Sequence, residues 1–336
     1  MKKHANLSIF VPHAGCKHLC SFCDQNIISA KEKPPQPLEV TALCEEFLPQ
    51  NGENTEIAFF GGSFTAIEPV YREALLRAAY PFVQKGRAMG IRISTRPDAI
   101  DADILAQLKA YGVTAIELGA QSMDDEVLKL NRRGHTADDV RRASAEIKAA
   151  GFELGLQMMP GLYGEGNPRE SAVETMTKLL ACAPATMRIY PAVTREGTHL
   201  AQLYKEGLYT PLTIEKAADI SAELLLMCEA ADVRVIRMGL AADEGLKGKV
   251  LAGPYHPAFR QLCESEIFYS AIAKRLYALP KGQYNIYVAQ NARSNAAGQK
   301  NTNISRFAKL GYKIGFKEST RLKARAFTIE EVKIWS

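Results

Sequence analysis

The sequence predicts an α/β chain built on a parallel sheet, followed by a smaller, basic α+β segment. Three observations carry this. Strand-like and helix-like patterns alternate with short connections as far as residue 190, as right-handed strand–helix–strand crossovers require. Cysteines, paired glycines and polar side chains fall just after the strand patterns, where parallel barrels place their chemistry. Charge also divides unevenly: residues 281–336 hold eleven Lys/Arg against three Glu, a net of +8 in a chain whose formal net charge is +5, so the rest carries −3.

Taken in order, residues 8–11 read as a strand, 37–48 as a helix and 55–60 as a strand. Residues 69–85 are helical and 90–94 extended; 101–111 are helical and 114–118 extended. Two helical stretches follow, 124–130 and 136–150, the second with Thr136 or Asp138 as its cap. Residues 152–158 read as a strand, 169–181 as a helix and 186–190 as a strand. Six strand–helix units are too few to close an eight-fold barrel. Beyond them, 213–231 reads as an amphipathic helix, 232–238 as a strand and 264–277 as a helix. The chain then reads strand 284–289, helices 292–297 and 302–310 around Gly298-Gln299-Lys300-Asn301, and strand 313–317. Three units are expected: 1–200, 201–262 as an extension covering the cavity, and 263–336.

The chain has 336 residues, enough for a barrel and a small second domain. No apolar run is long enough to span a bilayer, so no membrane partner is expected. Seven cysteines and no leader-like start point to a reducing, cytoplasmic setting rather than to disulfides.

The most specific motif is Gly15-Cys16-Lys17-His18-Leu19-Cys20-Ser21-Phe22-Cys23. Three thiolates on one short loop, with no fourth cysteine nearby, can hold three irons of a cubane and leave the fourth iron open. A zinc loop is the competing reading, but zinc sites usually pair C-x2-C knuckles, and no second knuckle follows here. Paired glycines at Gly61-Gly62, before Ser63, let backbone approach a ligand.

The cysteine loop, its aromatic Phe22 and the preceding strand resemble the radical S-adenosylmethionine (SAM) superfamily. That resemblance implies a partial (βα)6 TIM-like barrel. It also implies a [4Fe-4S] cluster on Cys16, Cys20 and Cys23, with SAM chelating the open iron and cleaved to a 5′-deoxyadenosyl radical. Gly61, Gly62 and Ser63 look like the family's glycine motif. Within the family, 94–98 is similar to the Elongator catalytic subunit, where a Glu stands in place of Ser94; Arg96 or Asp98 could compensate, or cap the following helix. The run ending in Gln121, with Arg133 beyond it, looks like both that subunit and oxygen-independent coproporphyrinogen oxidase. The resemblance implies SAM contacts for Gln121 and for Arg133, with Arg132 as the adjacent alternative, the guanidinium suiting a carboxylate. Met158 is a candidate adenine contact, against the alternative that it is simply packed. Tyr190 and His256 are candidate catalytic residues, each with packing as its alternative.

From 188 onward the pattern favours the Elongator-like group over the porphyrin enzymes. The strand–helix–turn–helix–strand order around 298–301 resembles a KH RNA-binding module, with Asn301 where that module has its second glycine. Lys300, Arg306 and Lys309 are the candidate RNA contacts, since cations neutralise phosphates. The expectation is thus a radical SAM enzyme acting on RNA, tRNA foremost, and fed by a reductant such as flavodoxin or ferredoxin. The Elongator subunit's acetyltransferase domain has no counterpart in the sequence, so acetyl-CoA-dependent carboxymethylation is not expected of it. Two alternatives stay open: a small-molecule radical enzyme of the tetrapyrrole type, and a non-catalytic cluster carrier.

Overall fold

Apolar residues alternate along the strands with charged or small ones, and this alternation gives the main sheet two unlike faces. The computed structural model describes residues 5–11, 16, 19–23, 33–50, 52, 54–240 and 248–332. Pro12, His13, Lys17 and His18 of the cysteine loop lie outside the described residues. Strands β1 (Ala5–Val11), β2 (Thr55–Gly61), β3 (Gly90–Thr95), β4 (Val113–Gln121), β5 (Glu153–Met158) and β6 (Thr186–Ile189) lie side by side in chain order. Every neighbouring pair is parallel. The strand expected at 232–238 forms as β8 (Arg234–Met238) and pairs parallel with β6, so the half-barrel has seven strands rather than six. Between them, β7 (Thr194–Arg195) pairs antiparallel with β9 (Val250–Ala252) outside the main sheet.

Helices α1 (Pro37–Phe47), α2 (Pro69–Gln84), α3 (Ala102–Ala110), α4 (Asp125–Leu130), α5 (Ala137–Ala149), α6 (Pro168–Leu180), α7 (His199–Lys205) and α8 (Ile214–Ala230) accompany the strands. Their starts are chemically marked. Asp101, Asp124, Thr136, Thr198 and Thr213 each accept a hydrogen bond from a first-turn amide, satisfying donors that a helix cannot pair internally. Thr136 and Asp139 form a reciprocal capping box. One sheet face, with Ile57, Phe59, Ile91, Ile93, Ile116 and Leu118, is buried in the main core. At about 1.5–3 kcal/mol for each fully buried side chain, this face is a principal source of stability.

The opposite, concave face is charged. Arg92 on β3 donates to Glu56 (2.8 Å), Glu117 (3.4 Å) and Glu153 (2.8 Å). Arg188 on β6 reaches over β5 to Glu117 on β4, at 2.5 and 2.9 Å. Gly155 leaves that passage open: a Cβ there would lie 2.8 Å from both Glu117 Cγ and Thr186 Oγ1. Charges buried this deeply persist only when paired and hydrogen-bonded.

The C-terminal unit shares a helix with the barrel. In α9 (Phe259–Leu276), Phe259, Cys263 and Ile267 join the large core, while Phe268, Ile272 and Leu276 join the small one. A division at 262/263 therefore falls inside a continuous helix. Strands β10 (Gln283–Ala289) and β11 (Lys313–Ser319) are parallel, flanking α10 (Arg293–Ala297) and α11 (Thr302–Lys309) as expected. An unanticipated strand, β12 (Phe327–Glu331), pairs antiparallel with β10. No described helix is long and apolar enough to cross a membrane.

Candidate cofactor site

The described part of the cysteine loop is held by three separate segments. Ser21 donates its amide to the Asn131 carbonyl (3.1 Å) and its hydroxyl to Asn131 Oδ1 (2.6 Å). The Ser21 carbonyl accepts from the Leu200 amide, at the start of α7 (2.7 Å). Asn131, fully buried, in turn donates to the carbonyls of Val127 and Tyr163, both at 2.8 Å. Phe22 packs against Val127, Leu162 and Ala192 on one side and Leu200 and Tyr209 on the other. The aromatic position in the motif is therefore the wedge that seats the loop.

The thiols face neighbouring strand ends. Cys16 Sγ lies 3.8 Å from Ser63 Oγ, at the tip of β2. Cys20 Sγ accepts from Arg133 Nη1 at 3.1 Å. Burial and the neighbouring Cys20 and Cys16 push the Cys23 thiol up to about 12, against Arg195 and Arg133, which favour its thiolate. Gly61 has φ +117°, and a Cβ there would sit 2.6 Å from the Val11 carbonyl. Only glycine lets β2 turn this close to β1; Gly62 follows with its amide on that same carbonyl (2.9 Å).

Arg96 and Asp98 form a bidentate pair, and negative charge on Cys16 and Cys20 also favours the Arg96 cation. The Arg96 guanidinium is thus engaged by Asp98, while its backbone caps the following turn. Ser94 pairs in register with Glu117 of β4. An acid lies on the neighbouring strand at that level, but two arginines already engage it.

Gln121 ends β4 in the left-handed region, φ +69°, and accepts from Gln157 Nε2 at 3.1 Å. Arg133, only 6 % exposed, donates through Nη2 to the Gly119 carbonyl at 2.6 Å and stands 5.7 Å from the Phe22 ring centroid. Its buried Nε has no partner among the described residues. His135 bonds the Ala120 carbonyl (3.1 Å) and is pushed down to about 4, chiefly by burial and then by Arg133, which suits a neutral structural imidazole.

Met158 departs from expectation. It is 1 % exposed within the main core, and neighbouring Gln157 is the residue that reaches the polar site. Strand alternation explains this, since consecutive side chains take opposite faces. Tyr190 does face the site side: its hydroxyl accepts from Arg188 at 3.0 Å. His256 accepts from the Ala258 amide through Nδ1 (3.1 Å), a bond that fixes the entry to α9. Sequence reasoning missed Glu117, Arg188 and Arg195; charged residues inside strand patterns at Arg92, Glu117 and Arg188 were the available signal.

The donor set fits the implied groups. Soft thiolates suit iron–sulfur clusters. An unsatisfied guanidinium donor beside a thiol, next to glycine backbone at two strand ends, suits a ligand carrying a carboxylate.

In the C-terminal unit, Lys300 (φ +51°) and Asn301 (φ +59°) both occupy the left-handed region, so Asn301 performs the turn expected of a glycine. A groove of about 610 Å³ there is lined by residues including Arg293, Lys300, Asn301 and Glu318. Lys300 and Lys309 are exposed. Arg306 is not available in the same way: it pairs with Glu266 at 2.5 and 3.0 Å and stacks 3.3 Å over Tyr269.

Comparison with known proteins agrees with this fold. Residues 10–176 match the radical SAM superfamily model, and 184–268 match a radical SAM C-terminal domain model. A tRNA uridine(34) acetyltransferase of Methanocaldococcus infernus is 28% identical over 262 residues, covering 64% of this chain and 48% of that protein. Human Elongator complex protein 3 is 28% identical over 195 residues, 52% of this chain and 35% of that protein. The chain thus spans less than half the length of these curated relatives. Among solved structures, the M. infernus Elp3 lacking its N-terminus superposes with TM-score 0.63 at 22% identity, over 82% of this chain and 64% of that one. Coproporphyrinogen III oxidase of Escherichia coli gives 0.50 at 18% identity, over 68% and 53%. At these identities the superpositions speak to the fold.

Proposed function

The chain belongs to the radical SAM superfamily, whose cofactors are a [4Fe-4S] cluster and SAM, and from that premise we propose that it is a radical SAM enzyme that modifies RNA, tRNA foremost. Cys16, Cys20 and Cys23 would hold the cluster, and SAM would lie over Phe22, Gly61, Gly62, Ser63, Gln121 and Arg133. When bound, the two groups supply a 5′-deoxyadenosyl radical. The chain's own residues seat the cysteine loop, present glycine backbone and hold a cation for the SAM carboxylate. The observation that carries this reading is Arg133, which joins Cys20 to the end of β4 and keeps a buried donor there that is unsatisfied among the described residues.

The RNA half of the proposal draws on the basic C-terminal unit and on relatives whose names specify tRNA. Acetyl transfer, also in those names, is a property of those proteins. A one-electron donor such as flavodoxin or ferredoxin would supply the cluster.

The test is anaerobic reconstitution with SAM and dithionite, followed by analysis of RNA and small molecules that co-purify. Formation of 5′-deoxyadenosine supports the enzyme; an intact cluster with none would leave a carrier. Deuterium transfer from labelled tRNA into 5′-deoxyadenosine supports the RNA substrate, whereas transfer only from a tetrapyrrole would overturn it.

A further inference from the structure

The main sheet has two edges, β1 on one side and β8 on the other. It is also strongly curved. Three strands separate β6 from β2, a span of about 19 Å in a flat sheet, yet the Arg188 guanidinium on β6 lies 5.0 Å from the ring centroid of Phe60 on β2. The concave face therefore bends round on itself, and the two edge strands border its opening.

Each edge strand carries one uncommitted group at its penultimate position. On β1, Ile9 and Val11 enter the core, so Phe10 takes the concave face, in register with Phe60. The Phe10 ring leans on Gly61, where a Cβ would meet Phe10 Cε2 at 2.6 Å, and the residue stays 37 % exposed. Arg188 occupies the face of Phe60; no ring or cation covers Phe10 among the described residues. On β8, Met238 enters the core and Arg237 takes the concave face, in register with Arg188. Arg188 is neutralised by Glu117, which it binds through two nitrogens. Arg237 meets no carboxylate among the described residues; its Nε reaches only the Gly239 carbonyl, at 3.4 Å.

A guanidinium with its fork open suits a phosphate. A ring exposed in an otherwise polar cleft suits the face of a base. A nucleotide joins both features in one ligand. We propose, on the RNA reading above, that the two edge strands grip one unpaired nucleotide of the RNA: Phe10 stacks on its base and Arg237 pairs with an adjoining phosphate. The open edges let the polymer continue past the site, which a closed barrel would prevent.

The test is equilibrium binding of tRNA to the reconstituted full chain over a salt series. The variants are Phe10→Leu, Phe10→Trp, Arg237→Gln and, as a control on the same strand, Arg234→Gln, whose side chain is 58 % exposed. Phe10→Leu should weaken binding about tenfold with the salt slope unchanged, and Phe10→Trp should restore it. Arg237→Gln should weaken binding and make the slope shallower by about 0.7, one phosphate on a single strand. Arg234→Gln should keep the wild-type slope. Wild-type affinity in Phe10→Leu, or the wild-type slope in Arg237→Gln, would overturn the proposal and leave the RNA reading in place. No tRNA binding by the wild-type chain would overturn both. Should Arg237→Gln fail to fold, Arg237→His decides: relative to wild type, its slope should become shallower as pH rises through the imidazole range. A slope indifferent to pH, or failure to fold there too, would overturn the proposal by assigning Arg237 to the sheet.

Discussion

Two glycines near the cysteines respond to a methyl group in opposite ways, because the atoms that meet it differ. At Gly61 a Cβ would press on the backbone carbonyl of Val11 at 2.6 Å, in a conformation with φ +117°. Backbone cannot yield, so Gly61→Ala should destabilise the fold by roughly 1–3 kcal/mol, read as a lower denaturant midpoint. At Gly119 the nearest atoms are side-chain ends, Gln121 Nε2 at 2.8 Å and Arg133 Nη2 at 3.4 Å. These can move. Gly119→Ala should therefore leave the denaturant midpoint nearly unchanged while weakening SAM binding about tenfold, a loss of about 1.4 kcal/mol, measured by equilibrium titration on the reconstituted protein. Wild-type affinity in that variant would remove Gln121 and Arg133 from the SAM site. Both glycines were visible in the sequence, yet only the fold says which contacts they relieve.

Elements link the cysteine loop to the barrel, and Asn131 is the junction. It follows α4, binds Ser21 through backbone and side chain, and fixes the loop after β5 through Tyr163. Asn131→Ala leaves the buried Ser21 hydroxyl and the Tyr163 carbonyl without their partner, while the Val127 carbonyl keeps the residue's own amide, a cost of roughly 1–3 kcal/mol for each group left unpaired. Iron content after reconstitution should drop with the helical signal retained; full iron occupancy would show that the strap is dispensable. The loop after β5 also carries a pH dependence. Burial pushes the Glu165 carboxyl up from 4.5 to about 8, against the Gly161 and Leu162 amides, which favour its charged form. The unfolded chain releases that proton near its ordinary value, the folded chain only near 8. Stability should accordingly fall as pH rises from about 4.5 to 8, and Glu165→Gln should flatten that slope in thermal unfolding. At this scale the sequence was informative: the cap at Thr136, the helix at 69–85 and the turn at 298–301 all stand where local pattern put them. The Glu117–Arg188 bridge was illegible because its partners are 71 residues apart and meet only through sheet curvature. Strand β12 was missed although Phe327, Thr328, Ile329 and Glu330 alternate apolar with polar; the run is only five residues long.

Across the whole molecule, the excess charge of the C-terminal unit is not one uniform surface. Arg325 binds Glu264 at 2.6 and 2.9 Å and Glu229 of the barrel at 2.5 and 2.8 Å, so it ties the small unit to α8 and α9. Arg306 is likewise neutralised by Glu266. Two of the cations left for a polyanion, Arg293 and Lys300, line the groove at the turn between α10 and α11, beside Glu318. If RNA docks there, each cation that neutralises a phosphate releases counterions, and the logarithm of affinity falls with the logarithm of salt by about 0.7 per contact on a single strand. Lys300→Ala and Arg293→Ala should each weaken tRNA binding and make its salt dependence shallower by nearly one contact. Arg306→Ala and Arg325→Ala should act differently. Both remove ion pairs that are partly exposed, each worth about 1 kcal/mol or less after screening, so they should lower the unfolding midpoint and leave the salt slope as it was. A shallower slope in Arg306→Ala with unchanged stability would reverse this assignment and place the RNA path over α11 instead. An unaltered slope in all four variants would take RNA off the C-terminal unit altogether, leaving the barrel mouth to recognise the substrate.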